Sequence, residues 1–277
     1  MRPITRYRML GVHVDRMEIN DLHRSIASAI RDNRTTVIGN HNLHSIYLFH
    51  RDQNMHEFYR RADLVHVDGM GVVLAAKLLG LPLTFSQRLA YLDFMPPVLQ
   101  EAVQNRWRVF YLGCKPGVID RGIEQLRRKH PGLLIAGTHG YFNPVRNSEE
   151  CVEVLRKIAI FKPHILVVGM GMPRQEQWIA ENVDDISANV IFDAGGYLDY
   201  IAGDVPTTPR WVGKLYLEWL VRLCFEPKRL WRRYLVEPWV VAALLVRAQW
   251  DRTLAAEIQP HATPAQATAA DQLNPAA

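Results

Sequence analysis

Cysteine is scarce in this chain: Cys114, Cys151 and Cys224 are the only three in 277 residues, far apart and odd in number. That excludes a disulfide framework, offers no zinc-site spacing and fits a reducing compartment. Long apolar runs are missing too, since none reaches the ~18–20 residues of a bilayer-spanning helix. The opening Met-Arg-Pro-Ile-Thr-Arg-Tyr-Arg has no apolar segment of a secretory signal, so a cytoplasmic protein is expected. Neither GxGxxG after the first strand nor GxxxxGK[ST] is present. A nucleotide-dependent oxidoreductase on a doubly wound fold therefore has little support.

What is present is globular: 48% hydrophobic and 22% charged residues, enough chain to bury a core as one large domain or a domain with an appendage. The net charge of +5 is unevenly spread. Between Lys214 and Arg233 stand Lys214, Arg222, Lys228, Arg229, Arg232 and Arg233 against only Glu218 and Glu226. Such a block suits phosphate groups, nucleic acid or an anionic membrane surface, or is simply a solvated helix face.

Strand and helix patterns alternate along most of the chain. Met9–Val14, Thr35–Ile38, Leu64–Val67, Trp107–Leu112, Leu133–Gly137, Pro163–Val168 and Val190–Phe192 read as strands. Helical stretches lie between them, including one from about Ser45 to Arg60 and one from Gln87 to about Asn105. This alternation predicts an α/β fold, a Rossmann-like parallel sheet with helices on both faces. Pro163–Val168, the most apolar run, is expected at its centre. Residues 1–205 form this domain, 206–250 a basic, aromatic-rich helical appendage, and 251–277 a disordered tail. The apolar run Trp239–Val246 is too short to span a membrane and is expected to dock on the domain or lie in a membrane interface.

Open parallel sheets bind ligands at the carboxyl edge of their strands, which singles out a few residues. Asp68 follows the strand Leu64–Val67 and precedes Gly69 and Gly71. It can act as a general base or merely cap the next helix. Asn40 and Asn42 follow the second strand and either bind a ligand or complete a turn. Arg88 near a helix start suits a bound anion. In Gly169-Met-Gly171-Met-Pro-Arg-Gln175-Glu176 the glycines allow close backbone approach to a diphosphate or sugar, or merely a tight turn. Gly195 and Gly196 end the last strand.

Taken in order, several pieces resemble the WecG/TagA/CpsF family of bacterial glycosyltransferases over about residues 8–236. They are Ala62-Asp63 with Asp68-Gly69, Gly140-Tyr-Phe142, Gly171-x-Pro-Arg-Gln-Glu176 with Trp178, and Gly195-Gly196 with Asp199 and Ala202-Gly203. The most specific is Glu218-Trp-Leu-x-Arg222 through Glu226-Pro-x-Arg229-x-x-Arg232. The resemblance implies an inverting transfer of a sugar from a UDP-sugar donor to a polyprenyl-diphosphate-linked acceptor, with neither metal nor cofactor. In its terms Asp68 is the base, Asn42, Arg88 and Gln175 fall on pocket positions, and Arg222, Arg229 and Arg232 close over the leaving diphosphate. It further implies peripheral association with an anionic membrane on its cytoplasmic face, homo-oligomers, and no nucleic-acid partner. Two departures stand out. Asn40-His-Asn42 replaces a common Thr-x-Asn, and Thr-Thr-Pro209-Arg replaces Arg-Ala-Pro. The first looks like the GumM-like exopolysaccharide branch, so glucosyl transfer to lipid-linked glucose is the expected reaction and N-acetylmannosaminyl transfer the alternative.

Overall fold

The computed structural model describes residues 4–205, 218–251 and 253–259. Its centre is a parallel six-stranded sheet in the order β4-β3-β8-β7-β5-β6. These are β3 (Thr36–His41), β4 (Leu64–Val67), β5 (Arg108–Gly113), β6 (Leu134–Thr138), β7 (Ile165–Gly169) and β8 (Val190–Asp193). The fold class is the expected one, and β7 is an interior strand with every residue buried. Continuous apolar strands of this kind require cover on both sides.

Alternate residues face opposite layers. Val109, Tyr111, Ile165, Val167 and Phe192 pack against α1 (Ile19–Arg31), α5 (Tyr91–Gln104), α6 (Val118–Lys129) and α9 (Tyr197–Ile201). Phe110, Leu112, Leu166, Val168 and Ile191 meet α3 (Gln53–Arg61), α7 (Glu149–Phe161) and α8 (Arg174–Asn182). Because all strands run one way, every carboxyl end lies on one edge. That edge gathers Asn40–Asn42, Asp68, Gly169–Gly171 and Asp193–Gly196.

Four expectations need correction. Met9–Val14 is not one strand: β1 (Thr5–Met9) and β2 (Val12–Arg16) form a hairpin turning at Leu10 and Gly11, with φ of 51° and 77°. Apolar Leu10 in a left-handed turn looks like strand in the sequence, where Asn or Gly would be the usual signal. The hairpin covers the edge strand β4. Arg6 holds Asp15 with two bonds of 2.8 and 2.7 Å, and Asp15 accepts the Val65 N–H at 2.8 Å.

The helix read over Ser45–Arg60 is two, α2 (Leu43–Phe49) and α3, because Asp52 caps the second by accepting from Asn54 N at 2.9 Å. Arg88 precedes α5 rather than standing in its first turn, following a 3-10 turn at Phe85–Gln87. Within the expected tail, β9 (Glu257–Gln259) pairs antiparallel with β1. Leu254 is buried and its carbonyl accepts the Leu10 N–H at 2.9 Å. Three residues are too few to show a period, and only the free edge of β1 makes them a strand.

The appendage comprises α10 (Glu218–Phe225), α11 (Pro227–Leu235) and α12 (Glu237–Arg247). The start of the expected appendage, residues 206–217, lies outside the described residues. Pro227 and Pro238 sit in first turns, where their missing N–H costs nothing. The run Trp239–Val246 docks by one face. Val241 joins the core formed by the hairpin, α2 and α4 (Met70–Leu78), with Leu244 and Leu245 packed against it. Trp239 on the opposite face stays 75% exposed.

Candidate active site

Asp68 leaves β4 at the sheet edge. Its N–H donates to the His41 carbonyl at 2.8 Å, fixing it beside the end of β3. The N-cap position of α4 is Gly69, with φ of 121°, so Asp68 does not occupy the cap that its simpler reading required. A Cβ at Gly71 would lie 2.5 Å from Leu43 Cδ1, so a larger residue there requires Leu43 to move. A second segment pairs beside the end of β4 through a parallel bridge between Val67 and Arg88, with Leu89 N donating to Val67 O at 2.8 Å. Arg88 is thereby brought beside Asp68's strand end. Its side chain is only 12% exposed, and its carboxylate neighbour Asp93 stands 3.7 Å away.

Asn42 caps α2: its Oδ1 accepts the Ser45 N–H at 3.0 Å, while its own N–H donates to Ser45 Oγ at 2.9 Å. Its Nδ2 takes no part in that box and stays at the half-buried strand end. Asn40 is different, being buried and committed to the protein. Its Nδ2 donates to the Asp193 carbonyl at 3.0 Å and to Asp193 Oδ1 at 2.8 Å, and its carbonyl accepts from the Tyr59 hydroxyl at 2.7 Å.

Gln175 is also fully buried. Its Oε1 accepts from Gly171 N at 3.0 Å and Gly195 N at 3.1 Å, stapling the loops after β7 and β8. Gly171 and Gly195 have φ of 85° and 53°, and a Cβ built on either meets nothing within 4 Å. Both backbones therefore border open space that a diphosphate or sugar can occupy. Gly196 follows, exposed, at the N-cap of α9.

Residues 7–255 match the model of the glycosyl transferase WecG/TagA/CpsF family. This chain belongs to that family. Among its relatives is the N-acetylglucosaminyldiphosphoundecaprenol N-acetyl-beta-D-mannosaminyltransferase of Bacillus spizizenii, 37% identical over 185 residues, 66% of this chain and 68% of that one. The Staphylococcus aureus (strain NCTC 8325 / PS 47) protein of the same description is 32% identical over 176 residues, 64% of this chain and 66% of its own. The chain is thus a glycosyltransferase.

In this glycosyltransferase the appendage reaches the strand ends. Arg222 lies in α10 and Arg229 and Arg232 in α11; the side chains of Arg222 and Arg229 are not among those described. Arg232 is exposed, its guanidinium 5.8 Å from the Trp231 ring centroid. The adjoining Arg233, which the sequence reading did not single out, directs its field onto the buried Glu176.

Asp193 and Tyr91 were missed at the site, and Glu176 was named only within the Gly171–Glu176 motif, without a role. Asp193, at the end of β8, is buried and its acid is pushed well above the ordinary range, by burial first and by the charge of Glu176 next. Glu176 is itself pushed up to about 7, again chiefly by burial, and its Oε2 has no hydrogen-bond partner among the described residues. Tyr91 donates to Asp193 Oδ1 at 3.2 Å, and its phenol is raised by burial and then by the charges of Asp193 and Asp68. An acid after an apolar strand was the only signal for Asp193, and a turn residue gives the same one. Among the described residues no group of three or more His, Cys, Asp or Glu is arranged to hold a metal ion.

Proposed function

We propose that this glycosyltransferase moves N-acetylmannosamine from a UDP-linked donor to N-acetylglucosamine carried on a polyprenyl diphosphate, with inversion. The observation that carries the chemistry is Asp68, tied by its backbone to the end of β3 and set beside Arg88 by the bridge between Val67 and Arg88. A rigid, half-buried carboxylate at the ligand edge of the sheet is placed to accept a proton. The names of the relatives support the donor and acceptor.

In the reaction Asp68 takes the proton of the acceptor hydroxyl as that oxygen attacks the anomeric carbon. The new carbon–oxygen bond forms opposite the breaking bond to the diphosphate, which leaves with the electron pair as UDP. Guanidinium groups favour the charge that develops there. Arg88 at the sheet edge and Arg222, Arg229 and Arg232 of the appendage are the cations for that task. Asn42 Nδ2 and the open backbones of Gly171 and Gly195 are the remaining ligand contacts, with Asn40 and Gln175 holding those loops in place.

The second reading, glucosyl transfer to lipid-linked glucose, has the Asn40-His-Asn42 variant in its favour. Peripheral membrane attachment fits the exposed Trp219, Trp231, Trp239 and Trp250, which share the appendage with Lys228 and Arg232. The test is UDP release with a short-chain polyprenyl-diphosphate-N-acetylglucosamine acceptor and UDP-N-acetylmannosamine, against lipid-linked glucose and UDP-glucose. Turnover of the first pair is expected. Turnover of the second pair alone discards the donor and acceptor proposed here.

A further inference from the structure

Asp193 occupies a junction in this fold. Its Oδ1 accepts from Asn40 Nδ2 at 2.8 Å and from the Tyr91 hydroxyl at 3.2 Å, while Oδ2 accepts from the Asn40 N–H at 3.2 Å. Its carbonyl oxygen accepts from Asn40 Nδ2 at 3.0 Å and from Gln175 Nε2 at 3.1 Å. Three segments thus meet on one residue. They are the β3 end, which leads to Asn42; the start of α5, three residues after Arg88; and the first turn of α8.

We propose that Asp193 is the positioning residue of this site, holding the β3 end and the Arg88 segment in register so that Asn42, Arg88 and Asp68 converge on one substrate. The proposal rests on the glycosyl-transfer reading given above. A buried acid without a cation is costly, and among the described residues none forms an ion pair with Asp193. A second buried acid, Glu176, reaches the same carbonyl through Gln175 Nε2, which bonds Glu176 Oε1 at 2.8 Å and Asp193 O at 3.1 Å.

What the acid supplies in return is geometric: with or without its proton, both carboxyl oxygens keep acceptor lone pairs on one rigid plane. An asparagine cannot offer both, and an apolar residue offers neither. The link onward to Asp68 is short. Asn40 precedes His41, whose carbonyl receives the Asp68 N–H, so a shift of Asn40 moves the proton acceptor. Sub-ångström displacement of a reacting group is enough to slow chemistry while leaving binding largely intact.

The experiment compares wild type, Asp193→Asn and Tyr91→Phe, measuring kcat and KM with whichever donor and lipid acceptor the wild type uses, together with Tm and amide hydrogen exchange over residues 39–45. Asp193→Asn keeps shape but turns one acceptor into a donor; Tyr91→Phe removes one hydroxyl. Expected for Asp193→Asn is a kcat at least tenfold lower, a donor KM within threefold of wild type, and faster exchange confined to the β3 end. Tyr91→Phe is expected to give the same pattern more weakly, at about threefold in kcat. A folded Asp193→Asn chain with wild-type kcat overturns the proposal alone. If Asp193→Asn does not fold, Tyr91→Phe decides, and its unchanged kcat overturns it. Losses in kcat and KM that merely follow a fall in Tm also overturn it, since they mark a structural residue. A folded wild type silent with every donor removes the glycosyl-transfer reading first, and this proposal with it.

Discussion

Glu176 shows how much a buried side chain is tuned by its surroundings. Its acid is raised from 4.5 to about 7 mainly by desolvation, so between those values the folded chain holds a proton that the unfolded chain releases. Stability is therefore greatest below pH 4.5 as far as this group goes, and falls as pH rises through 7. Glu176→Gln is expected to flatten the decline of Tm between pH 5 and 8; an unchanged slope would place the proton elsewhere. Asp68→Asn, by contrast, leaves Tm near the wild-type value and lowers kcat at least a hundredfold if Asp68 is the base; full turnover would remove that role.

Gln175 belongs to the same scale. Replacing it by Ala removes the one acceptor that staples the part-buried N–H groups of Gly171 and Gly195, a loss of about 0.5–1.5 kcal/mol for each bond, and a lower Tm is expected. Asp68 and Gln175 could be picked out because glycines mark a strand end wherever they occur. Asp193 could not, because its importance comes from β8 lying between β3 and β7, a neighbourhood set by pairing across 150 residues of chain.

At the level of elements, the parallel strands were readable because burial on both faces makes each a mostly apolar run, with polar residues such as Asn40 and Asp193 gathered at the carboxyl ends. The hairpin was not. Its turn carries a left-handed leucine, and its partner β9 is separated from it by nearly the whole chain. Strand β9 also changes what truncation does. Removing residues 253–277 deletes Leu254 and the third strand of the small sheet, and truncating a buried leucine alone costs about 2–5 kcal/mol. Leu254→Ala is expected to lower Tm measurably, with faster amide exchange in β1 and in α12. No change in either would show that the small sheet holds without it. The appendage helices themselves were legible from their prolines and aromatics, but their seat on α2 was not, since it relies on the His44–Glu237 contact of 2.6 Å and on Val241 meeting a core built from distant segments.

The molecule as a whole carries a net charge of +5, and among the described residues no helix is long and apolar enough to cross a membrane. Trp239 and Trp250, 75% and 76% exposed, stand on the same appendage as Lys228 and Arg232. Vesicles rich in anionic lipid are expected to bind the protein, less tightly as salt rises. A Trp239→Ser, Trp250→Ser variant should weaken that binding severalfold without altering Tm; equal binding would assign the attachment to other residues.

Strand β9 finally bears on how the appendage can move. It returns the chain after α12 to the N-terminal hairpin, so the appendage is fastened there as well as by Val241 in the core. Fastened twice, α12 does not leave the domain by losing either hold alone: a wide excursion requires Val241 to come out of the core and β9 to unzip from β1.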